Sequence, residues 1–460
     1  MLYAVFKILF RITFQVFFRK VSFRNKTAIP DKGPLLICAN HPGSFLDPIV
    51  IAALIRRNVF FLAKGEIFKS AFAKWFLPKI NIVPVYRKQD NPELMHKNQE
   101  TFQRCFEHLA KGGALIIFPE GLSVTDRNLR PLKTGAARIV LGAEELYHFS
   151  LDVKVVCIGL NYENPHAFRK DVVLSVSDPI HVQDYKEDYQ LNGFQAVQRL
   201  TDDIKRNLEE QLIITGDLDT SRTVEQIERL YSRDALIEAG ISPDDIDAEF
   251  ELSKKIAGAV HYFRENSFEE YEQFRIALNS YFSKLNLLGL SDRVIRAKAR
   301  HSLRWSSYIK ELLFVITGFP LFVFGLLHNY IPFRTASWLS KNIVRQLEFR
   351  GAIGAAAGMF LFIFWYTGGI IFMHSFTEMQ GIHWLYIFFW PVSGLFAWYY
   401  FLRLRFIGSK WYFMFIFSNR KEMISELISR RNQLFQMIRE AGKRFEMSGK
   451  EMPQDSEGIL

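Results

Sequence analysis

Short apolar runs alternate with amphipathic segments between about residue 26 and residue 215. The runs have the length of buried strands, and the segments between them repeat their apolar positions every three or four residues, as helices do. The clearest helical patterns are Glu93–Lys111 and Thr134–Glu145. Six strands are predicted: Pro34–Cys38, Val59–Ala63, Ile80–Tyr86, Ala114–Phe118, Val153–Leu160 and Val172–Val176. The alternation predicts an α/β domain over 26–215, with a mixed sheet, helices on both faces and its chemistry in the loops.

Residues 2–18 are almost entirely apolar, yet a polar residue recurs at every fourth position. The polar residues share one narrow stripe of a helix whose remaining surface is apolar. They are Lys7, Arg11, Gln15 and Arg19. The pattern predicts an interfacial amphipathic helix over 1–25, lying in the plane of a membrane surface. The alternative is a core helix of a soluble domain, and a signal peptide is not expected because no small-residue cleavage site follows.

Beyond residue 215 the pattern becomes charged and helical, without strand signals. A helical region is predicted over 216–310, where Ser242 followed by Pro243 marks one helix start. Near the other end of the chain, 420–445 has the pattern of a charged amphipathic helix. We therefore expect 418–460 to form a cytoplasmic helix followed by a disordered tail.

Three apolar stretches occupy a predicted membrane region over 311–417. Ala352–Met373 and Trp384–Leu402 contain no charged residue, and the first would be about 33 Å long as a helix, enough to cross a bilayer. Transmembrane helices are therefore predicted over 352–373 and 384–402. Leu312–Leu327 is shorter and contains Pro320, so we expect a Pro-broken re-entrant or in-plane hairpin over 312–327.

The distribution of Lys and Arg predicts the orientation of these helices. Basic residues flank the first stretch on both sides, and the 334–350 link to the second stretch contains four of them. The 374–383 link between the second and third stretches contains neither Lys nor Arg. Because basic loops stay in the cytoplasm, the second stretch should run outward and the third should return. The sequence thus predicts an integral membrane protein with its active site on the cytoplasmic side.

The composition narrows the class of ligand. The chain has a formal net charge of +10 and contains 44 Phe, a combination that favours anionic lipid surfaces and acidic ligands over nucleic acid. Cys38, Cys105 and Cys157 are far apart and form no CxxC or His/Cys pattern. We therefore expect no metal site and no redox cofactor.

The segment Ala39–Pro48 follows the first predicted strand and contains a His and an Asp six positions apart. A Pro–Gly pair follows His41, so Asp47 should reach a ring nitrogen of His41 across a turn. A carboxylate fixes the tautomer of an imidazole and stabilises its protonated form, which gives the pair the chemistry of a general base. The alternative is that Asn40, Ser44 or Asp47 only caps the next helix.

Other predicted strands end in groups suited to an anionic ligand. The third strand ends at Arg87, where a guanidinium can hold a phosphate with two hydrogen bonds. The fourth runs into a Pro–Glu–Gly turn, in which Glu120 can bind hydroxyls and Gly121 lets backbone N–H groups face an anion. Lys133 lies close to the start of a predicted helix, which also favours anions. The segment Val155–Tyr162 is interpreted as core.

In this order, the segments resemble the motifs of the glycerolipid acyltransferase superfamily. The resemblance covers roughly 26–215 and depends chiefly on Asn40–Pro48 and Phe118–Gly121. It implies transfer of a fatty acyl group from a thioester to a hydroxyl of a phosphorylated glycerol. It also implies that the thioester is acyl-CoA or an acyl carrier protein and that no cofactor takes part.

The resemblance assigns a role to each candidate residue. His41 would take the hydroxyl proton, and Asp47 would orient and charge-stabilise His41. Arg87 would grip the acceptor phosphate. Glu120 and Gly121 would complete the acceptor site.

Two departures from the common pattern point to one branch of the superfamily. Five residues rather than four separate His41 from Asp47, and Gly121 is followed by Leu-Ser rather than the Thr-Arg of many lysophosphatidate acyltransferases. Both features are similar to the branch that acylates glycerol 3-phosphate or dihydroxyacetone phosphate, which also carries membrane segments after its acyltransferase domain. The missing Arg leaves three candidate substitutes, which the sequence does not separate: Arg127, Arg130 and Lys133.

The sequence therefore predicts a membrane-bound O-acyltransferase of phospholipid synthesis acting on glycerol 3-phosphate or its lyso derivative, with the bilayer, acceptor and donor as partners and no nucleic acid. One alternative changes the acceptor to 1-acylglycerol 3-phosphate or a lyso-aminolipid. A hydrolase would use Ser44 or Ser123 as nucleophile, but no Gly-x-Ser-x-Gly elbow is present. The alternative without catalysis is a lipid-binding membrane scaffold with a degenerate site.

Overall fold

The structure is a computed structural model of the chain, and it describes residues 2–86, 98–299, 305–375, 380–417 and 420–449. The chain divides into two compact units. The α/β unit comprises Met1–Ile214 and Leu339–Met359, and the helical unit comprises Thr215–Trp338 and Phe360–Leu460. The α/β unit therefore takes in a segment far beyond the boundary expected at residue 215.

One eight-stranded sheet forms the centre of the α/β unit. Its strands are β1 (Val21–Arg24), β2 (Leu35–Ala39), β3 (Val59–Lys64), β4 (Ile82–Val85), β5 (Ala114–Ile117), β6 (Lys154–Tyr162), β7 (Val172–Val176) and β8 (Ile180–His181). They lie in the order β1-β7-β6-β2-β5-β3-β4, with β8 paired to the start of β6. β6 is antiparallel to β7 and β8, and the other pairs are parallel, so the prediction of a mixed sheet is confirmed.

Helices cover both faces of this sheet, as predicted. They are α1 (Leu2–Phe17), α2 (Leu46–Leu54), α3 (Ala71–Phe76), α4 (Asn98–Ala110), α5 (Gly135–Leu146), α6 (Lys186–Leu191) and α7 (Gly193–Glu210). Alternate residues of β2 enter two cores. Leu35 and Ile37 pack with α1 and α2, whereas Leu36 and Cys38 pack with α4, α5 and α7. A strand buried on both faces is apolar throughout, which is why β2 is a continuous apolar run in the sequence.

The polar stripe of α1 serves partly to cap α2, a use that the prediction did not foresee. Lys7 Nζ donates to the carbonyl oxygens of Arg56 and Arg57 at 3.0 and 2.7 Å. Arg11 Nε donates to Ala53 O at 2.9 Å. These cations satisfy carbonyls at and just beyond the C-terminus of α2, where the negative end of the helix dipole favours positive charge. The two helices are therefore tightly joined.

The opposite side of α1 keeps an apolar surface. Phe14 and Phe17 enter the core, with 1% and 8% of their surface exposed. Five apolar residues on the outer side are exposed, and they are Leu2, Val5, Ile8, Ile12 and Val16. α1 thus has the buried face of a core helix and an outer apolar face that suits a membrane surface. Its interfacial placement stays a prediction.

The described part of 216–310 is largely helical, as expected of the region predicted there. The helices of the helical unit are α8 (Leu218–Ile227), α9 (Arg233–Glu238), α10 (Ile246–Asn266), α11 (Phe268–Leu287), α12 (Asp292–Ala299), α13 (Trp305–Trp338), α14 (Arg350–His374), α15 (Gln380–Phe417) and α16 (Lys421–Met447). α14 begins in the α/β unit and continues into the helical unit. α16 packs against α10, α11 and α12. Its buried Arg431 donates to Asp234 at 2.7 Å and Asp292 at 2.9 Å, which ties α16 to α9 and α12.

The break predicted at Pro320 is absent. α13 is one continuous helix that contains both Pro320 and Pro332. Pro332 lacks the N–H group that would bond to His328 O, and Trp365 Nε1 on α14 donates to this carbonyl instead, at 2.8 Å. A neighbouring helix can thus satisfy a carbonyl that Pro leaves open, so an apolar helix with Pro need not fold back.

Two helical stretches in the described part of the chain are long and apolar enough to cross a membrane, namely Tyr308–Ile343 and Leu347–His374. The second contains the transmembrane helix predicted over 352–373. The first contains the 312–327 stretch, which was expected not to cross. The third predicted stretch, 384–402, lies inside α15, which does not meet this criterion over its described residues. The crossing of a bilayer by any of these helices stays a prediction.

Candidate active site

Three loops meet at the edge of the sheet formed by the carboxyl ends of β2, β5 and β6. β2 pairs in parallel with both β5 and β6, so the residues that follow these strands are brought together. Asn40, the first residue after β2, extends the pairing with its side chain. Its Oδ1 accepts from Leu160 N at 2.7 Å, and its Nδ2 donates to Leu160 O at 3.1 Å. This contact fixes the direction in which the chain continues to His41.

His41 and Asp47 form a hydrogen-bonded pair, as their spacing predicts. His41 Nδ1 lies 2.8 Å from Asp47 Oδ2. Asp47 is fully buried in the first turn of α2, where the positive end of the helix dipole favours a carboxylate. Because a carboxylate accepts, Nδ1 carries the proton and Nε2 is the basic nitrogen. The His41 side chain is 19% exposed, which leaves an accessible edge for a substrate.

Two further hydrogen bonds hold the Asp47 carboxylate. Gly43 N donates to Oδ2 at 2.8 Å, and the Tyr162 hydroxyl donates to Oδ1 at 2.9 Å. Burial, together with the nearby carboxylate, raises the pKa of Tyr162 well above its ordinary value, so the hydroxyl stays protonated as a donor. Sequence reasoning treated this strand as core and missed Tyr162. The available signal was a hydroxyl-bearing ring at the end of an apolar strand, since a buried Tyr needs a polar partner.

A turn ahead of α2 absorbs the extra residue between His41 and Asp47. Gly43 O accepts from Leu46 N at 3.0 Å, and Ser44 O accepts from Asp47 N at 3.2 Å. A Cβ at Gly43 would lie 2.7 Å from Asp47 Oδ1, so this position needs glycine. The helix begins only after the turn, and the additional residue therefore does not rotate Asp47 away from His41.

The loop after β5 supports His41 from a second side. The Phe118 ring stacks on the imidazole, with ring centroids 4.0 Å apart and planes 16° apart. Glu120 Oε1 accepts from His41 N at 3.0 Å, and Oε2 accepts from Arg130 N at 3.1 Å. Burial raises the pKa of Glu120 against the opposing effect of these two N–H groups. Glu120 thus joins the loops after β2 and β5, and its contact with the acceptor stays a prediction.

The structure distinguishes two of the candidate phosphate ligands. The Arg130 guanidinium makes two hydrogen bonds to Asp126, at 3.0 and 2.8 Å, and this partner raises the pKa of Arg130. The Lys133 side chain instead covers Gly121, where a Cβ would lie 2.7 Å from Lys133 Nζ. Gly121 has a φ of 70°, in the left-handed region. Lys133 lies two residues before the start of α5. It has no ion-pair partner within the described ranges, so its charge is available to a ligand.

Arg87, the phosphate ligand predicted at the end of β4, lies outside the described residues. β4 is parallel to β3, and β3 is parallel to β5. The carboxyl end of β4 is therefore directed to the same edge of the sheet as that of β5. The chain is described as far as Tyr86, whose N–H group donates to Asn98 Oδ1 at 2.9 Å.

The two serines of the hydrolase alternative serve to connect loops. Ser123 Oγ accepts from Ser44 N at 3.0 Å and so joins the loop after β5 to the turn before α2. In the part of the chain that the structure describes, neither serine hydroxyl is hydrogen-bonded to a ring nitrogen of His41. A serine hydrolase needs that contact between nucleophile and base.

The cysteines are poorly suited to chemistry. Cys38, Cys105 and Cys157 are all buried free thiols. Burial raises the pKa of Cys105 and of Cys157 to about 12, so neither supplies a thiolate at neutral pH. Among the described residues there is no group of three or more His, Cys, Asp or Glu side chains that could hold a metal ion.

Parts of the chain are similar to known acyltransferases. Residues 20–161 match the family model described as Acyltransferase. Over 133 residues the chain is 38% identical to glycerol-3-phosphate O-acyltransferase 1 of Saccharomyces cerevisiae, a match that covers 28% of this chain and 17% of the yeast protein. Over 334 residues it is 25% identical to glycerol-3-phosphate O-acyltransferase 2 of the same yeast, covering 50% of this chain and 45% of the relative.

The matches to both yeast proteins span less than half of their length. Among solved structures, the chain is similar to the 1-acyl-sn-glycerophosphate acyltransferase PlsC of Thermotoga maritima. That similarity has 19% sequence identity and a TM-score of 0.31, and it covers 45% of this chain and 78% of PlsC.

Proposed function

Residues 20–161 match the Acyltransferase family model, and from this premise we propose that the chain transfers a fatty acyl group from a thioester to a hydroxyl of glycerol 3-phosphate. The observation that carries the proposal is the His41–Asp47 pair, whose carboxylate is buried and whose imidazole has an accessible edge. The names of the two yeast relatives, glycerol-3-phosphate O-acyltransferases, support this acceptor. The product is a lysophosphatidate, an intermediate in making glycerolipids.

The proposed reaction uses His41 first as a base and then as an acid. Nε2 removes the proton of the acceptor hydroxyl while the hydroxyl oxygen attacks the carbonyl carbon of the thioester. Asp47 stabilises the imidazolium that forms, and its three hydrogen-bond donors keep it oriented. The carbon–sulfur bond then breaks, and the imidazolium returns its proton to the leaving thiolate. The products are the ester and a free thiol, so no additional cofactor takes part.

Lys133 is the cation that we propose for the acceptor phosphate. Its ammonium lies over Gly121 in the loop after β5, the same loop that supports His41 through Phe118 and Glu120. It also lies just before α5, and a helix N-terminus favours an anion. Arg130 is already held by Asp126. Arg87 stays a predicted second phosphate ligand.

An acceptor panel tests the reaction and the role of Lys133 together. Purified protein and one long-chain acyl-CoA are supplied with glycerol 3-phosphate, dihydroxyacetone phosphate, lysophosphatidate or a lyso-aminolipid, and release of free thiol is followed. We expect transfer to glycerol 3-phosphate, and a rise in KM for it of about tenfold in Lys133→Ala, because a charge-assisted contact contributes roughly 1.5 kcal/mol. Lys205→Ala is the matched control, since this exposed lysine of α7 pairs with Glu209 one turn further along the same helix.

Each of the other possible results would favour a different function for this chain. Equal rates with a phosphate-free acceptor and an unchanged KM in Lys133→Ala would reject a phosphorylated acceptor. Release of fatty acid instead of ester formation would favour the hydrolase. Binding of anionic vesicles without thiol release would favour the scaffold.

We also propose that the active site lies on the cytoplasmic side of a membrane. Leu339–Met359 belongs to the same compact unit as His41, and Phe349 contacts Phe45 at a ring-centroid distance of 5.2 Å. This segment includes most of the basic 334–350 link, which the charge rule keeps in the cytoplasm. Because the link and the site share one unit, they also share one side. The exposed apolar side of α1 would then rest on the bilayer surface.

Cysteine labelling measures this orientation. We expect Ser375→Cys, at the far end of α14, to react with a membrane-impermeant maleimide added to intact cells. Lys341→Cys should react only after the cells are permeabilised. The three native cysteines are buried and should give little background. Labelling of Lys341→Cys from outside would overturn the proposal.

A further inference from the structure

A continuous series of hydrogen bonds approaches the active site from the loop between β6 and β7. His166 Nε2 lies 2.9 Å from Thr125 Oγ1, and Thr125 Oγ1 lies 2.8 Å from Pro42 O. The peptide group that carries this carbonyl also carries Gly43 N–H, which donates to Asp47. Asp47 in turn holds His41. The series therefore connects two histidines through one threonine, one peptide group and one carboxylate.

The direction of these hydrogen bonds follows from the groups involved. Pro42 O can only accept, so the single hydroxyl proton of Thr125 is donated to it. Thr125 Oγ1 must then accept from His166, which places the proton of His166 on Nε2. His166 Nδ1 is buried and has no hydrogen-bond partner in the described parts of the chain. The ring therefore has one tautomer and one use, which is to donate to Thr125.

We propose that Thr125 and His166 are positioning residues for the His41–Asp47 pair. The proposal rests on the proposed function, since it gives these residues a part in the same site. The Pro42–Gly43 peptide group is held by Thr125 at its oxygen and by Asp47 at its N–H group. Rotation of this peptide plane would break both contacts, so Thr125 restrains the carboxylate that orients His41. Hydrogen bonds in series also polarise one another, which strengthens the donation from Gly43 N.

The position of His166 is itself fixed by its surroundings. Its backbone N–H donates to Asn164 Oδ1 at 2.9 Å. The preceding Pro165 is so close to the start of α14 that a Cβ at Gly351 would lie 2.1 Å from Pro165 O. Three charged groups act on the ring, namely Asp47 and, from the residues around the start of α14, Glu348 and Arg350. Burial lowers the pKa of His166, so the ring is neutral at neutral pH, as its role as a single donor requires.

Paired substitutions test the positioning role. Thr125→Val keeps the shape and removes the hydroxyl, and His166→Phe keeps a ring and removes the donor. We expect each to lower kcat by about 10- to 100-fold with an unchanged KM for the acceptor, because neither residue is placed at the acceptor and small displacements of catalytic groups cost this much. Thr125→Ser and His166→Gln retain a hydroxyl and an Nε donor, and both should restore kcat to within about threefold of wild type.

Two further comparisons separate positioning from folding. Thr201→Val removes a buried hydroxyl that donates to Val197 O within α7, and it should leave kcat unchanged. The double variant Thr125→Val/His166→Phe should be no slower than Thr125→Val, because the two residues act in one series. Additive losses, or a loss that Thr125→Ser does not restore, would overturn the proposal.

The tautomer of His41 can be measured without catalysis, so this proposal can be tested separately from the proposed function. In ¹⁵N NMR of histidine-labelled protein, wild-type His41 should show one tautomer with the proton on Nδ1. Thr125→Val should show a mixture of tautomers. If wild type transfers no acyl group, the proposed function fails, and the NMR comparison still decides the positioning role. An unchanged tautomer in Thr125→Val would reject it.

Discussion

We expect His41→Ala to lower kcat for the proposed acyl transfer by about 1,000-fold, because positioned proton transfer contributes roughly 10²- to 10⁴-fold to such reactions. Nε2 is the basic nitrogen left by the Nδ1 contact with Asp47, and the acceptor hydroxyl has to be deprotonated as it attacks. KM for glycerol 3-phosphate should change little, since the proposed phosphate ligand is Lys133. Thiol release under saturating acyl-CoA measures both constants.

The control for this substitution is His181→Ala. His181 is an exposed residue of β8 and lies 3.6 Å from Asp152, away from the loops of the site. It should retain the wild-type rate. His41→Ala with more than a tenth of the wild-type kcat would contradict the mechanism, provided that its melting temperature is unchanged.

Asp47→Asn should lower kcat by a similar factor, about 10³-fold, although it replaces only one carboxylate oxygen by an NH₂ group. The carboxylate accepts from His41 and Gly43 at Oδ2 and from Tyr162 at Oδ1. An amide has one accepting oxygen, so its NH₂ group must face at least one of these donors. If the NH₂ group faces the ring, the proton of His41 moves to Nε2, and the nitrogen that should accept the substrate proton no longer can.

Kinetics of single and double variants check this prediction. Asp47→Asn in a His41→Ala background should cause no further loss, because residues that act as a unit have non-additive effects. Tyr162→Phe removes one donor and leaves two, so a loss of about tenfold is expected, equivalent to one hydrogen bond of roughly 1.4 kcal/mol. An Asp47→Asn variant faster than Tyr162→Phe would show that the carboxylate does not act through His41.

The architecture of the α/β unit was accessible from sequence because it depends on local pattern. Strands in the middle of the sheet are mostly apolar, so the ends of β2, β3, β5 and β7 were predicted to within about one residue. β1 and β8 were not predicted, since short edge strands carry no such run. The His41–Asp47 contact was also predictable, because only a turn separates the two residues and a turn has a local signature.

The contacts made by the candidate residues were less accessible, because they join segments distant in sequence. Glu120 was predicted from its motif, yet its two backbone partners, His41 and Arg130, follow from the packing of three loops. Tyr162 meets Asp47 only because β6 lies beside β2. The availability of Lys133 rather than Arg130 depends on Asp126, a neighbour whose side-chain direction no pattern reveals.

The C-terminal half shows a different limit of prediction from sequence. A run of small and apolar residues suits a lipid-facing helix and a protein core equally well, and Ala352 and Ala355 at the start of α14 pack in the core of the α/β unit. Likewise, Pro320 was expected to break α13 because a sequence does not show which neighbours support the helix. The pattern gives the length and polarity of a helix, and its partners decide where it belongs.

The discontinuity of the α/β unit has a consequence for the order in which the protein folds. Its sheet is complete once Ile214 has been synthesised, but Ala352 and Ala355, which cover part of its core, are made only after α13. At elongation rates of roughly 5–20 residues per second, the nascent sheet waits on the order of ten seconds with this surface uncovered. If the ribosome delivers the apolar helices of the nascent chain directly to a bilayer, this surface would be exposed to the cytosol for a shorter time. If these helices do enter a membrane, completion of the candidate site and insertion of the chain would be parts of one event.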